Sequence, residues 1–130
     1  MSPPRGRTGA TNLVDWHRGE SVWATPPAWV AAEVPGNRGH FWAPDVIWSA
    51  AADRYLLFYS VSTWGKNTSV IALASNPTLD TENPRYAWND EGIVQRSAAT
   101  NDFNAIDPAV AFDVDGRLWM AFGSFWSGIK

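Results

Sequence analysis

One stretch of this chain is written twice. Pro44-Asp45-Val46-Ile47-Trp48, a polar turn and Arg54-Tyr55-Leu56-Leu57-Phe58-Tyr59-Ser60 are echoed by Pro108-Ala109-Val110-Ala111-Phe112, the turn Asp113-Val114-Asp115-Gly116 and Arg117-Leu118-Trp119-Met120-Ala121-Phe122-Gly123. The offset is 64 residues from Pro44 to Pro108 and 63 from Arg54 to Arg117, a slip of one residue in the turn. A second echo joins Trp16 and Val22 to Trp88 and Val94, with Val six positions after Trp in both copies. A unit of about 60 to 70 residues with about four strands is too long for a solenoid turn and suits one blade of a β-propeller. Two copies with a slip also arise by chance, so the repeat needs independent support.

Short β-branched and aromatic runs between Gly, Pro, Asn and Asp predict an all-β chain. The expected strands are Asp45 to Ser49, Arg54 to Ser62, Ser69 to Ser75, Gly92 to Arg96, Ala109 to Asp113 and Leu118 to Ser124. Trp16 to Val22 reads as the outermost strand of a preceding unit. No convincing helix is present, and the alanine-rich Trp29 to Glu33 stretch is ambiguous. The expected organisation within 1–130 is a part-propeller of about two blades. Residues 1–11 read as irregular, 12–42 as the end of one blade and a connection, 43–96 as a whole blade, and 97–130 as the start of the next. Such a piece leaves sheet edges open and blade faces without neighbours, which closure of a propeller would remove.

Composition narrows the partners. With 45% hydrophobic and only 18% charged residues the chain belongs with folded proteins. A net charge of −3 provides no basic field for phosphates, so nucleic acid is not an expected partner. No apolar run is long enough for a membrane span, and the opening MSPPRGRTGA has no apolar segment of the kind a secretion signal uses. Cysteine is absent, which removes disulfides, thiolate metal sites and thiol nucleophiles. Nine Trp, six Phe and three Tyr point to heavy use of flat rings, either in packing between sheets or as platforms for sugars.

Four stretches in order carry a resemblance: Phe41-Trp42-Ala43-Pro44-Asp45-Val46, then Ser69 to Pro77 (SVIALASNP), then Asn104-Ala105-Ile106-Asp107-Pro108, then Gly123 to Ile129 (GSFWSGI). Each is weak alone, but the ordered set, running from about Asn12 to Lys130, closely resembles the endo-1,5-α-L-arabinanases of glycoside hydrolase family 43. That resemblance implies a five-bladed propeller with its active site in a funnel at the axis. It also implies an inverting mechanism with three carboxylates: an Asp general base, a second Asp that orients and tunes the acid, and a Glu general acid. Asp107 inherits the second role. The base, from a His-Asp-Pro type motif, and the acid are both expected outside this sequence, which leaves the chain inactive alone. Read without the resemblance, Asp107 is an ordinary turn Asp before proline.

Asp45 stands one residue after Pro44, whereas Asp107 stands one before Pro108, so its side chain is expected on another face, as a structural carboxylate or as part of the funnel lining. Phe41 and Trp42 are the candidates for furanose stacking, against inter-blade packing. Asn104 and Ser124 either hold sugar hydroxyls or satisfy turn backbone. His17 and His40 have no partners at metal-site spacing. No cofactor or metal is expected in this chain, although the resemblance implies a structural calcium ion on the axis of the intact protein. Asn67-Thr68-Ser69 matches a glycosylation acceptor, a pattern common by chance. The implied partner is a polysaccharide, arabinan of pectin side chains, met outside the cell. Related activities, α-L-arabinofuranosidase or β-xylosidase, stay open, as does a non-catalytic propeller that binds carbohydrate or protein.

Overall fold

The computed structural model describes residues 12, 14–16 and 18–130. Its centre is a four-stranded antiparallel sheet in the order β1-β2-β3-β4, formed by Phe41–Ser49, Arg54–Val61, Ser69–Asn76 and Asn89–Ser97. A second, two-stranded sheet pairs β5 (Ala109–Phe112) with β6 (Leu118–Ala121). All six strands lie where the β-branched and aromatic runs predict them. β1 starts at Phe41 rather than Asp45 because Phe41 and Trp42 still pair with Val61 and Ser60 across a bulge. β4 starts three residues early, at Asn89.

The two faces of the four-stranded sheet follow from strand alternation. Tyr59, Val61, Val70, Ala72 and Ala74 form one buried cluster, with Phe41, Leu57, Trp88 and Ile93 packed against it. Phe58 and Ile71 point the other way and, with Ala105, form a second cluster that takes in Ile47, Leu56, Leu73, Phe103, Val110, Met120 and Phe122. The second cluster joins the two sheets face to face, because Val110 and Met120 are opposite partners in β5 and β6. Asp45 fastens the same interface: its Oδ2 accepts the N–H of Val110 at 2.7 Å. This face-to-face stacking of antiparallel sheets is propeller packing, with one whole blade and half of the next.

Trp29–Glu33, ambiguous in the sequence, resolves as a short helix, α1. Five residues are too few for a helix in isolation. Tertiary contacts make it: Val30 and Val34, one turn apart, are both buried in the first cluster. Trp29 Nε1 donates to Asp90 Oδ2 at 2.9 Å, and Arg96 donates through Nε and Nη2 to both Glu33 oxygens at 3.0 Å. The Arg96 guanidinium holds the Glu33 carboxyl below its ordinary range. Trp16 to Val22, by contrast, has no strand among its described residues. A strand is defined by its ladder, and the ladders among the described residues are those of the four- and two-stranded sheets. Its intended counterpart, Trp88 to Val94, does enter β4.

The β5–β6 turn is built on one carboxylate. Asp113 Oδ1 accepts the N–H groups of Asp115 and Arg117, both at 2.9 Å, and Oδ2 accepts Trp119 Nε1 at 2.8 Å. The Trp119 indole first, and then the Arg117 N–H, hold its pKa below the ordinary 3.8. A carboxyl depressed in the folded state stabilises the turn above its ordinary pKa, and that contribution is lost as pH falls through the folded value. The Trp119 indole N–H resonance is therefore expected to titrate below pH 3.8 in an acid NMR series, and the Asp113 carboxyl midpoint to rise toward 3.8 in Trp119→Phe. A midpoint unmoved by the substitution would rule out the indole as its main cause.

Candidate active site

The repeat carries an unusual backbone device at equivalent positions. Ala43 and Asp107, 64 residues apart and each just before a proline, both have left-handed backbone, with φ of 41° and 53°. A residue before proline is pushed toward extended conformations, and left-handed backbone costs an L-residue about 1 kcal/mol, so both conformations are imposed by their surroundings. In β1 the device falls in the bulge between Trp42 and Asp45. In the second copy it presents an exposed Asp107 just ahead of β5. The turn is pinned on either side: Gly123 N–H donates to Ile106 O at 2.7 Å, and Asp107 N–H to Ser60 Oγ at 3.0 Å.

Beside this turn lies a cleft of about 450 Å³, lined by Trp42, Thr63, Trp64, Gly65, Lys66, Asn104, Ile106, Phe125 and Trp126. Trp42 and Trp64 meet edge to face with ring centres 6.3 Å apart. Trp64 and Phe125 are 87% and 80% exposed, a solvent exposure that core aromatics do not have. Phe125 and Trp126 stand in left-handed backbone, φ 56° and 40°, in the loop after β6. Bulky residues in that region mark strain held by the surrounding structure, a feature that concentrates at functional sites. The rims of the cleft are thus aromatic rings, and no Asp or Glu lines it.

The residues singled out from sequence separate here. Trp42 and Asn104 line the cleft, and Asp107 directly follows Ile106, which does so too. Asn104 is buried; its Nδ2 lies 3.4 Å from Lys66 O and its Oδ1 has no protein partner, leaving a buried acceptor at the cleft wall. Ser124 is half-buried between Gly123 and Phe125. Phe41 points elsewhere: it packs edge to face on Tyr59 at 5.5 Å in the first cluster, beside a separate hollow of about 270 Å³. Asp45 is spent on the Val110 N–H, and burial raises the Tyr59 hydroxyl well above its ordinary range. Asn67 is no glycan acceptor site, because it is buried and its Nδ2 serves the carbonyls of Ala98, Asn101 and Phe103 at 3.0–3.2 Å.

Trp64, Lys66 and the Phe125-Trp126 pair are cleft residues that sequence reasoning left unassigned. Trp64-Gly65, an aromatic beside a turn glycine straight after an apolar run, is the one signal that pointed to an exposed ring. His40 is exposed, and His17 lies outside the described residues. Among the described residues no three His, Asp or Glu side chains come together as metal ligands.

Stacked antiparallel sheets, with an aromatic cleft beside an exposed carboxylate just ahead of β5, define part of a β-propeller. The chain belongs to the glycosyl hydrolases family 43, whose model matches residues 8–130. It is 46% identical over 121 residues to the extracellular endo-α-(1→5)-L-arabinanase 1 of Bacillus subtilis, covering 93% of this chain and 36% of that protein. It is 44% identical over 118 residues to an extracellular exo-α-(1→5)-L-arabinofuranosidase of Cellvibrio japonicus, covering 90% of this chain and 33% of the relative. Among solved structures, an endo-arabinanase from Bacillus licheniformis superposes with TM-score 0.83 at 41% identity, over 96% of this chain and 44% of that one. An exo-1,5-α-L-arabinanase from a bovine ruminal metagenomic library also gives 0.83, at 45% identity over 88% and 38%. These relatives are five-bladed propellers, and this chain is part of that fold. It spans about a third of the length of the curated relatives it matches.

Proposed function

We propose that this chain supplies the aromatic substrate rim and one carboxylate of an inverting hydrolase of α-1,5-linked arabinan. The observation that carries the reading is the cleft itself: four aromatic rings, Trp42, Trp64, Phe125 and Trp126, surround a hollow beside the strained turn that presents Asp107. Polarised C–H groups of a furanose pack on ring faces, while the few polar groups, Asn104 among them, fix orientation. The relatives, an endo-α-(1→5)-L-arabinanase and an exo-α-(1→5)-L-arabinofuranosidase, act on linkages of this chemistry. Both relatives are extracellular enzymes, which supports action outside the cell.

Asp107 is then the tuning carboxylate. Its negative charge disfavours ionisation of a neighbouring general acid and keeps that acid protonated at working pH. An inverting hydrolase needs in addition a protonated acid and a base that activates water on the opposite face of the sugar. A carbohydrate-binding propeller without catalysis is the second reading; among the described residues the cleft is lined by rings, Lys66, Asn104 and small or apolar side chains.

Binding of arabinohexaose tests the shared part of both readings. Trp64 is 87% exposed, so Trp64→Ala leaves the core intact. Loss of one stacking ring, worth about 1.4 kcal/mol, lowers affinity about tenfold. Titration of the chain followed by Trp42 indole NMR is expected to show that drop. Equal affinity for both forms would remove the cleft as the sugar site.

A further inference from the structure

The connection from β4 to β5 crosses from one blade to the next, and buried polar side chains of the first blade hold it. Ser97 Oγ accepts the Ala105 N–H at 2.8 Å and donates to Asn67 O at 2.6 Å. Asn67 Nδ2 gathers three carbonyls of the same connection. At the far end Ser60 Oγ accepts the N–H of Asp107 across 47 residues of sequence.

We propose that Ser60 is the positioning residue of Asp107, fixing the direction of its carboxylate from the neighbouring blade. The proposal rests on the reading of Asp107 as a working carboxylate. Ser60 is wholly buried in β2, held on both sides by pairing with Trp42 and Ile71. Its strand neighbours on the same face, Leu56 and Phe58, are apolar and pack in the second cluster. A hydroxyl in such a row costs free energy unless it is hydrogen-bonded. The strand does not require it, since the second copy of the repeat carries Gly123 at the equivalent position.

What requires it is the turn. Asp107 has φ 53° and precedes Pro108, two reasons for its backbone to relax to an extended form. Relaxation would rotate the Cα–Cβ bond and swing the carboxylate away from its present direction. Gly123 holds the preceding carbonyl of Ile106, and Ser60 holds the N–H of Asp107 itself. The peptide between residues 106 and 107 is therefore clamped at both of its polar atoms, one clamp from each blade.

Amide hydrogen exchange on the 130-residue chain tests this with Ser60→Ala and Ser60→Thr. The Asp107 N–H is expected to exchange about tenfold faster in Ser60→Ala, as one net hydrogen bond is lost, and to regain its protection in Ser60→Thr. The Ile71 and Val61 amides should keep their rates. An unchanged Asp107 rate in Ser60→Ala overturns the proposal. An equal rise at Ile71 and Val61 also overturns it, reducing Ser60 to a packing residue. In an active propeller that carries these residues, Ser60→Ala should lower kcat about tenfold with KM unaltered, corresponding to one pKa unit of lost tuning. Faster Asp107 exchange with full turnover leaves the clamp standing and removes Asp107 from the catalytic set.

Discussion

Incubated with debranched α-1,5-arabinan, the 130-residue chain is expected to release no arabino-oligosaccharides, and Asp107→Asn is expected to cripple a propeller that contains the full set of carboxylates. Inversion requires two carboxyl groups on opposite sides of the scissile bond, with space for water between them. The cleft in this chain is lined by rings, Lys66, Asn104 and small residues, with Asp107 beside it and no acidic side chain in its walls. In the proposed role of tuning carboxylate, Asp107 neither protonates a leaving group nor activates water. In a complete propeller, Asp107→Asn keeps size and removes charge, so kcat should fall about a hundredfold, the order expected when a preorganised electrostatic group is lost. The sign of the pH effect follows as well. A nearby negative charge raises the pKa of the general acid, so its removal lowers that pKa. The alkaline limb of the rate profile then moves to lower pH. Turnover by the chain alone that vanishes in Asp107→Asn would sink the missing-partner argument. An unchanged kcat in the complete enzyme would return Asp107 to the status of a turn residue.

The blade was readable because its signal is local and repeated. Near-continuous apolar and aromatic runs from Arg54 to Val61 and Ser69 to Asn76, bounded by turn residues, read as strands covered on both faces, and the copy at Pro108 to Phe122 announces a second sheet of the same kind. Position 107 was singled out by the Asn104 to Pro108 motif and the resemblance it carries, not by the repeat. The repeat aligns it with Ala43, and the structure shows the two sharing one strained pre-proline backbone. What stayed hidden depends on contacts between distant segments. α1 exists because Val30 and Val34 find the sheet and Glu33 finds Arg96. Trp16 to Val22 has a strand-like sequence, and none of its described residues lies in a strand.

Aromatic residues were the hardest to assign. A Trp or Phe serves core and platform equally well, and only exposure separates the uses. Phe41 and Trp42 are adjacent in sequence, yet Phe41 turns to Tyr59 and Trp42 to Trp64, because the pleat sends neighbours to opposite faces. Trp64, Phe125 and Trp126 come from loops whose conformation is set by backbone bonds to the next segment, and no periodicity predicts them.

The last of those loops fixes the largest structural effect. Gly123→Ala is expected to free the segment from 123 to 130, whereas Gly116→Ala is expected to be nearly silent at the cleft. Both glycines have left-handed backbone, φ 109° and 77°, so each alanine carries roughly 1 kcal/mol of conformational penalty. Their surroundings differ. A Cβ at Gly116 meets open space, while one at Gly123 would stand 2.6 Å from the carbonyl oxygen of Gly128, a fixed backbone atom. Relief requires the two backbones to part, which breaks the paired bonds between Phe122 and Lys130, at 2.8 and 3.1 Å, and the Gly123 bond to Ile106. An overpacked contact of this kind adds about 1–3 kcal/mol to the conformational term. Amide exchange at Phe122, Ser127 and Lys130 should therefore rise by about a hundredfold in Gly123→Ala and stay unaltered in Gly116→Ala. Because Phe125 and Trp126 ride on that loop, arabinohexaose binding should fall further than in Trp64→Ala. Retained protection at Lys130 in Gly123→Ala would show that the loop has room to yield. The aromatic rim would then owe its position to something other than the close approach of residues 123 and 128.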